Sequence, residues 1–145
     1  MPEINAAMGL SNLGALDQVV EANRERHAAY AHAFSGVEGV RLLPYAPADT
    51  PNYQYVVVEV EPGIRDRIVA ALHAENILAR KYFWPGCHRM KPYRELYPHA
   101  GLLLPVTESV AGRVVILPTG PSLALADVDA IAAVFLHLVK NHDAL

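Results

Sequence analysis

Leu13, Leu16 and Val20 open an apolar stripe that Tyr30, Ala31 and Phe34 continue, with polar residues between them. The pattern predicts one long helix from the first residues to about Ser35, with Gly36 as its stop. Pro2 suits the first turn and Glu3 the positive end of the helix dipole, while Gly14 weakens the middle by about 1 kcal/mol relative to alanine. VRLLPY then reads as a short strand and APADTP as a loop. NYQYVVVEVEPG is aromatic and β-branched and predicts a strand that ends at Pro62-Gly63. Its run Val56-Val57-Val58 implies burial on both faces. Ile64, Ile68 and Leu72, spaced by four, predict a helix ending near Asn76. ILARKYFWP reads as a further strand, PVTESVAGR as a helix opened by Pro105, and VVILPTGP as a strand closed by turn residues. Val128, Ile131, Ala132, Phe135, Leu138 and Val139 give the last helix a clean period, with Asp127 and Asp129 in its first turn and Lys140 in its last. This order predicts an α/β domain of two layers (α+β), with helices on a small, mostly antiparallel sheet.

Composition narrows the classes. The chain has 145 residues, is 52% hydrophobic and carries a net charge of -3, which fits one domain with a real core and gives no footprint for nucleic acid. No apolar run reaches the roughly 18 residues of a membrane span, and MPEINAAMGL lacks the basic start of a signal peptide. The single cysteine, Cys87, excludes an internal disulfide and suits a reducing compartment, so a cytoplasmic location is expected.

Chemistry concentrates in ARKYFWPGCHRMKPY, residues 79–93, which holds four aromatics, four cations, Cys87 and His88. Cys87 and His88 are adjacent, but no protease signature surrounds them, and neighbours on an extended chain point apart. Packing of a buried or half-buried thiol in a turn is the better reading. Adding His99 makes a poor zinc set, with neither C-x-x-C nor H-x-x-x-H, so no metal is expected. Arg80, Lys81, Arg89 and Lys91 beside flat rings suit a phosphorylated or nucleoside-bearing ligand. A solvated basic rim is the competing reading and, on the residues alone, the slightly favoured one. His27, His32, His73, His137 and His142 fall on predicted helices as surface or boundary residues. No glycine-rich phosphate loop follows any strand.

Three stretches together carry a resemblance. PEINAAMGLSNLGALDQVVEANRERHAAY is similar to the long helix that opens the small domain of the DegT/DnrJ/StrS sugar aminotransferases. NYQYVVVEV resembles their central strand, and LARKYFWPGCHRMKPYREL with LPVTESVAGRVVILPTGPSLALADVDAI resembles their closing half. The similarity covers nearly the whole chain in order, and YFWPGCHRMKPY looks most like members that aminate nucleotide-linked 4-keto-6-deoxy sugars.

The resemblance implies a fold type I enzyme that uses pyridoxal phosphate (PLP) to move an amino group from glutamate to a sugar ketone, as a homodimer with shared sites. It also implies a large domain ahead of residue 1 that holds the Schiff-base lysine, the pyridinium partner and the phosphate cradle, with a cofactor-reaching asparagine just before Met1. The three lysines here, Lys81, Lys91 and Lys140, lack the family's lysine context. The expectation is therefore a single C-terminal small domain over residues 1–145, a fragment or split half, inactive alone and binding no cofactor alone. Lys81, Tyr82, Phe83 and His88 are expected to face the sugar nucleotide, with Asn52, Tyr53 and Gln54 as a second group. Strand alternation would keep Lys81 and Tyr82 from facing it together. Edge-strand packing plus a turn is the alternative for each residue. A non-catalytic binding or scaffold module is the alternative for the chain.

Overall fold

The structure is a computed structural model, and it describes residues 1–46 and 48–144. Helix α1 spans Glu3–Gly14 and α2 Leu16–Phe34. Strands β1 (Val40–Leu42) and β2 (Val56–Val60) lead to helix α3 (Arg65–Ala74). Short helices α4 (Tyr93–Leu96), α5 (Ala100–Leu103) and α6 (Pro105–Ala111) precede strand β3 (Val114–Leu117) and helix α7 (Leu125–Lys140).

The sheet has the order β1-β2-β3 and is antiparallel throughout, with Leu42 opposite Val58 and Val58 opposite Val115. Helix α7 packs on α2 and α3, and its six periodic residues are all buried. Val56, Val58, Leu72, Val115 and Phe135 fill the centre of the core. The α/β arrangement read from the pattern is the arrangement found. Central β2 also buries Glu59, whose charge is balanced by Arg113 at 2.8 Å and by Arg41 on the neighbouring strand.

Three expectations are corrected. The single long helix is two: the Ala15 N–H turns to the Asn12 carbonyl, three residues back, and α2 restarts at Leu16. Gly14, the residue type that loses most backbone freedom when ordered in a helix, sits at that break. Gly36 does follow the end of α2, at φ 71°.

The second correction concerns NYQY, which is not strand. Tyr53 adopts φ 52°, and the Asn52 side chain accepts the Gln54 N–H at 3.1 Å, a local turn that competes with sheet pairing. β2 therefore begins at Val56, and Val57 is only half-buried.

The third correction concerns ILARKYFWP, which is not a strand either. The N–H groups of Ile77 and Ala79 go to Leu72 and Ile77, and only Arg80 bridges the sheet, exchanging bonds of 2.9 and 2.8 Å with Ile116. Beyond it the chain folds on itself, with Trp84 N–H to Lys81 O and Gly86 N–H to Phe83 O. Pro85 has no N–H to give a ladder. The alternation argument for Lys81 and Tyr82 lapses with the strand.

Candidate functional site

Arg80 is the last residue tied to the sheet, and the turn after it sends successive side chains to different neighbours. Arg80 donates to the Tyr82 hydroxyl, and its guanidinium lies 5.5 Å from the Tyr82 ring centre. Tyr82 stacks on Phe83 at 5.1 Å and meets Tyr55 edge-on at 6.3 Å. Arg80, Tyr82 and Tyr55 border a groove of about 480 Å³ that they share with Gln54, Thr119 and Ser122. Thr119 Oγ1 is buried there without a hydrogen-bond partner among the described residues. A cation, an amide, flat rings and free hydroxyls in one groove suit a ligand with anionic and hydroxyl groups.

Lys81 points elsewhere. Its ammonium is 3.1 Å from the Asp66 carboxylate, which Arg65 also holds at 2.8 Å. Burial pushes the Asp66 carboxyl up, but the Lys81 hydrogen bond and the Arg65 charge outweigh it and hold it below the ordinary aspartate value. Arg65 is itself buried. It donates to the Ala111 carbonyl and spreads over the Trp84 ring at 4.4 Å.

His88 joins a third cluster. Its Nε2 is 2.6 Å from Glu108 Oε1, and Arg89 Nε donates to the same oxygen at 2.6 Å. The Arg89 hydrogen bond, and then the His88 one, depress the Glu108 carboxyl to about 2. His88 borders a pocket of about 430 Å³ with Cys87, Tyr93, Tyr97, Leu104 and Thr107. Cys87 is exposed, not buried, because the Cys87–Arg89 turn carries it on the outside. Tyr53 lies apart again, while its neighbour Asn52 donates to Gln54 Oε1 at 3.4 Å. The Asn52 carbonyl accepts from Asn23 at 3.4 Å, and the rings of Tyr53, Tyr45 and His27 meet at 5.2 to 5.3 Å. Burial lowers the His27 imidazole below its ordinary value. His27 and His142 are half-buried and His32, His73 and His137 exposed, the surface and boundary positions expected of them.

Of the seven predicted site residues, then, Gln54 and Tyr82 share one groove, with Phe83 stacked on Tyr82 and Asn52 hydrogen-bonded to Gln54, whereas Lys81, His88 and Tyr53 belong to three other clusters. Sequence reading missed Glu108, Arg65 and Thr119. Glu108 had a signal: it is the only carboxylate side chain between Glu95 and Asp127, close after a cationic stretch. Among the described residues no three His, Cys, Asp or Glu side chains converge as a metal set, and no helix is long and apolar enough to cross a membrane.

Comparison with known proteins decides the lineage. The profile of the DegT/DnrJ/EryC1/StrS aminotransferase family matches residues 1–136. The chain belongs to this family. It is 33% identical over 121 residues to dTDP-4-amino-4,6-dideoxy-D-glucose transaminase of Escherichia coli, covering 81% of this chain and 33% of that protein. It is 30% identical over 141 residues to dTDP-4-dehydro-2,3,6-trideoxy-D-glucose 4-aminotransferase of Saccharopolyspora spinosa, covering 97% and 35%. The solved structure of DesI in the presence of its TDP-sugar product superposes with a TM-score of 0.88 at 38% identity, over 97% of this chain and 36% of that one. The chain thus spans about a third of the length of these relatives.

The family depends on PLP. Lys81 is paired with Asp66, and Lys91 is paired with Glu95 at 2.8 Å on the surface. Lys140 borders a groove of about 770 Å³, but Glu38 and Glu61 share that groove and would repel a cofactor phosphate. No chemical step is assigned to any of the three.

Proposed function

We propose that this chain acts as the C-terminal small domain of an aminotransferase that moves an amino group from glutamate to a nucleotide-linked keto-deoxysugar. In this reading PLP is held by a large domain outside these 145 residues, and the sites form between two copies of the enzyme in the cytoplasm. The observation that carries the reading is the groove where Gln54, Arg80 and Tyr82 meet the unpartnered Thr119 hydroxyl, in a chain whose relatives are named for dTDP-linked sugars. Gln54 and Tyr82 form its ligand wall, with Phe83 stacked on Tyr82. His88 presents a ring nitrogen from the adjoining loop. Lys81, Asn52 and Tyr53 hold the two loops in place. The domain's task is to bind and orient the sugar nucleotide, not to perform the chemistry. The test fuses this chain to the first two-thirds of the Escherichia coli relative, loads PLP and supplies glutamate with a dTDP-linked 4-keto-6-deoxy sugar. Amination is the expected result. A folded, PLP-loaded fusion without turnover overturns the reading.

A further inference from the structure

Glu108 does more than pair with Arg89. Its Oε1 takes the His88 Nε2 and the Arg89 Nε at equal distances, 2.6 Å, so one oxygen fixes both side chains of the turn. The space around the trio is cleared by two glycines. A Cβ on Gly101 would stand 2.7 Å from Arg89 Nη2 and 2.9 Å from Glu108 Oε1. A Cβ on Gly86 would stand 2.9 Å from His88 Cε1 and 3.0 Å from its Nδ1, and Gly86 adopts φ 90°, which side-chain-bearing residues rarely take. The imidazole is nine-tenths buried, and Nδ1 has no hydrogen-bond partner among the described residues. A carboxylate can only accept, so the neutral imidazole must carry its proton on Nε2 to bond Glu108. That leaves Nδ1 as the acceptor.

We infer that Glu108 is a positioning residue: it fixes the orientation and tautomer of His88, so that Nδ1 is presented as a hydrogen-bond acceptor for a hydroxyl of the bound sugar nucleotide. The ligand half of this inference rests on the function proposed above. The Glu108 half does not. It follows from the bond at Nε2, and it gives the turn Cys87–Arg89 a reason to be anchored on α6.

The test has one arm for each half. The first is long-range ¹⁵N NMR of the His88 ring in the 145-residue chain, recorded where the ¹⁵N shifts themselves report a neutral ring. The expected result is one tautomer with the proton on Nε2, lost to a mixture in Glu108→Ala and retained in Arg89→Ala. A mixture or an Nδ1–H tautomer in the unmodified chain overturns the inference, and that measurement needs no variant to fold. An unchanged tautomer in Glu108→Ala overturns it as well. The second arm measures kcat/KM of the fused enzyme for the dTDP-sugar. His88→Ala and Glu108→Ala should each lose about tenfold or more and the double variant no more than His88→Ala, as coupled groups do. A silent Glu108→Ala beside a damaged His88→Ala overturns the positioning role. A silent His88→Ala removes His88 from the ligand wall, while the tautomer measurement still judges Glu108.

Discussion

The guanidinium carbon of Arg65 lies 4.4 Å above the centre of the Trp84 ring, and this stack fastens the turn after Arg80 to the start of α3. Arg65 also donates to the Ala111 carbonyl at the end of α6, so one buried side chain ties together three segments around the site. Its ion pair with Asp66 counts for less, because Asp66 is 60% exposed and water screens it.

Arg65→Ala is therefore expected to cost about 2–4 kcal/mol, from one charged hydrogen bond and one cation–π contact. Because Trp84 is the only tryptophan, its fluorescence should shift toward that of an exposed indole before the rest of the domain unfolds. Asp66→Asn should cost much less. Equal losses for the two variants in a denaturant titration contradict this ranking.

Glu108 gives the domain a defined acid response. Its folded value of about 2 lies below the ordinary 4.5, so the folded state binds its proton less readily than the unfolded chain. The stabilisation it supplies is complete above about pH 4.5 and is lost as pH falls toward 2. A ¹³C titration of the Glu108 carboxyl should show a midpoint near 2, and Arg89→Ala should raise it, since the Arg89 bond is the largest cause. A midpoint near 4.5 in the unmodified chain would remove the trio from the account.

Helix α1 buries no side chain, and Ile4, Met8, Leu10 and Leu13 stand exposed along it, continued by Leu16 on α2. Exposed apolar surface of this kind drives association. The 145-residue chain should therefore self-associate as concentration rises in light scattering, and the double change Ile4→Glu and Leu13→Glu should return it to a monomer. A monomer at every concentration, with no binding of an apolar dye, counts against an interface on this helix.

How far the sequence carried depends on where each residue's hydrogen bonds go. The α7 stripe and the Val56–Val60 strand were legible because burial alone dictates their period, and Asp127 keeps its place by accepting the Ala124 N–H at 2.9 Å. The stretch from Ile77 to Pro85 has the composition of a strand, but the Ile77 and Ala79 donors are spent locally, which composition does not reveal. Gln54 and Tyr82 were named through family resemblance in two separate groups, and the groove that joins them lies between segments that no local spacing links. The Lys81–Asp66 pair was not legible, because Asp66 lies fifteen residues back on another element. Glu108 reaches His88 over twenty residues, a contact that no local spacing announces.

The account rests on the edge around Gln54, Tyr82 and His88 binding the sugar nucleotide without doing chemistry. The measurement that tests it most directly is kcat/KM for the dTDP-sugar in the PLP-loaded fusion, compared among Gln54→Ala, His88→Ala and Cys87→Ser. Loss of one charged or buried hydrogen bond is worth about 1.5–3 kcal/mol, so Gln54→Ala and His88→Ala should each fall roughly ten- to a hundredfold with the visible spectrum of the bound cofactor unchanged. Cys87→Ser should stay near the unmodified enzyme, since the thiol is exposed and bonded to nothing in the described residues. Loss of turnover in Cys87→Ser, with Gln54→Ala and His88→Ala silent, would contradict the account and make the thiol the working group.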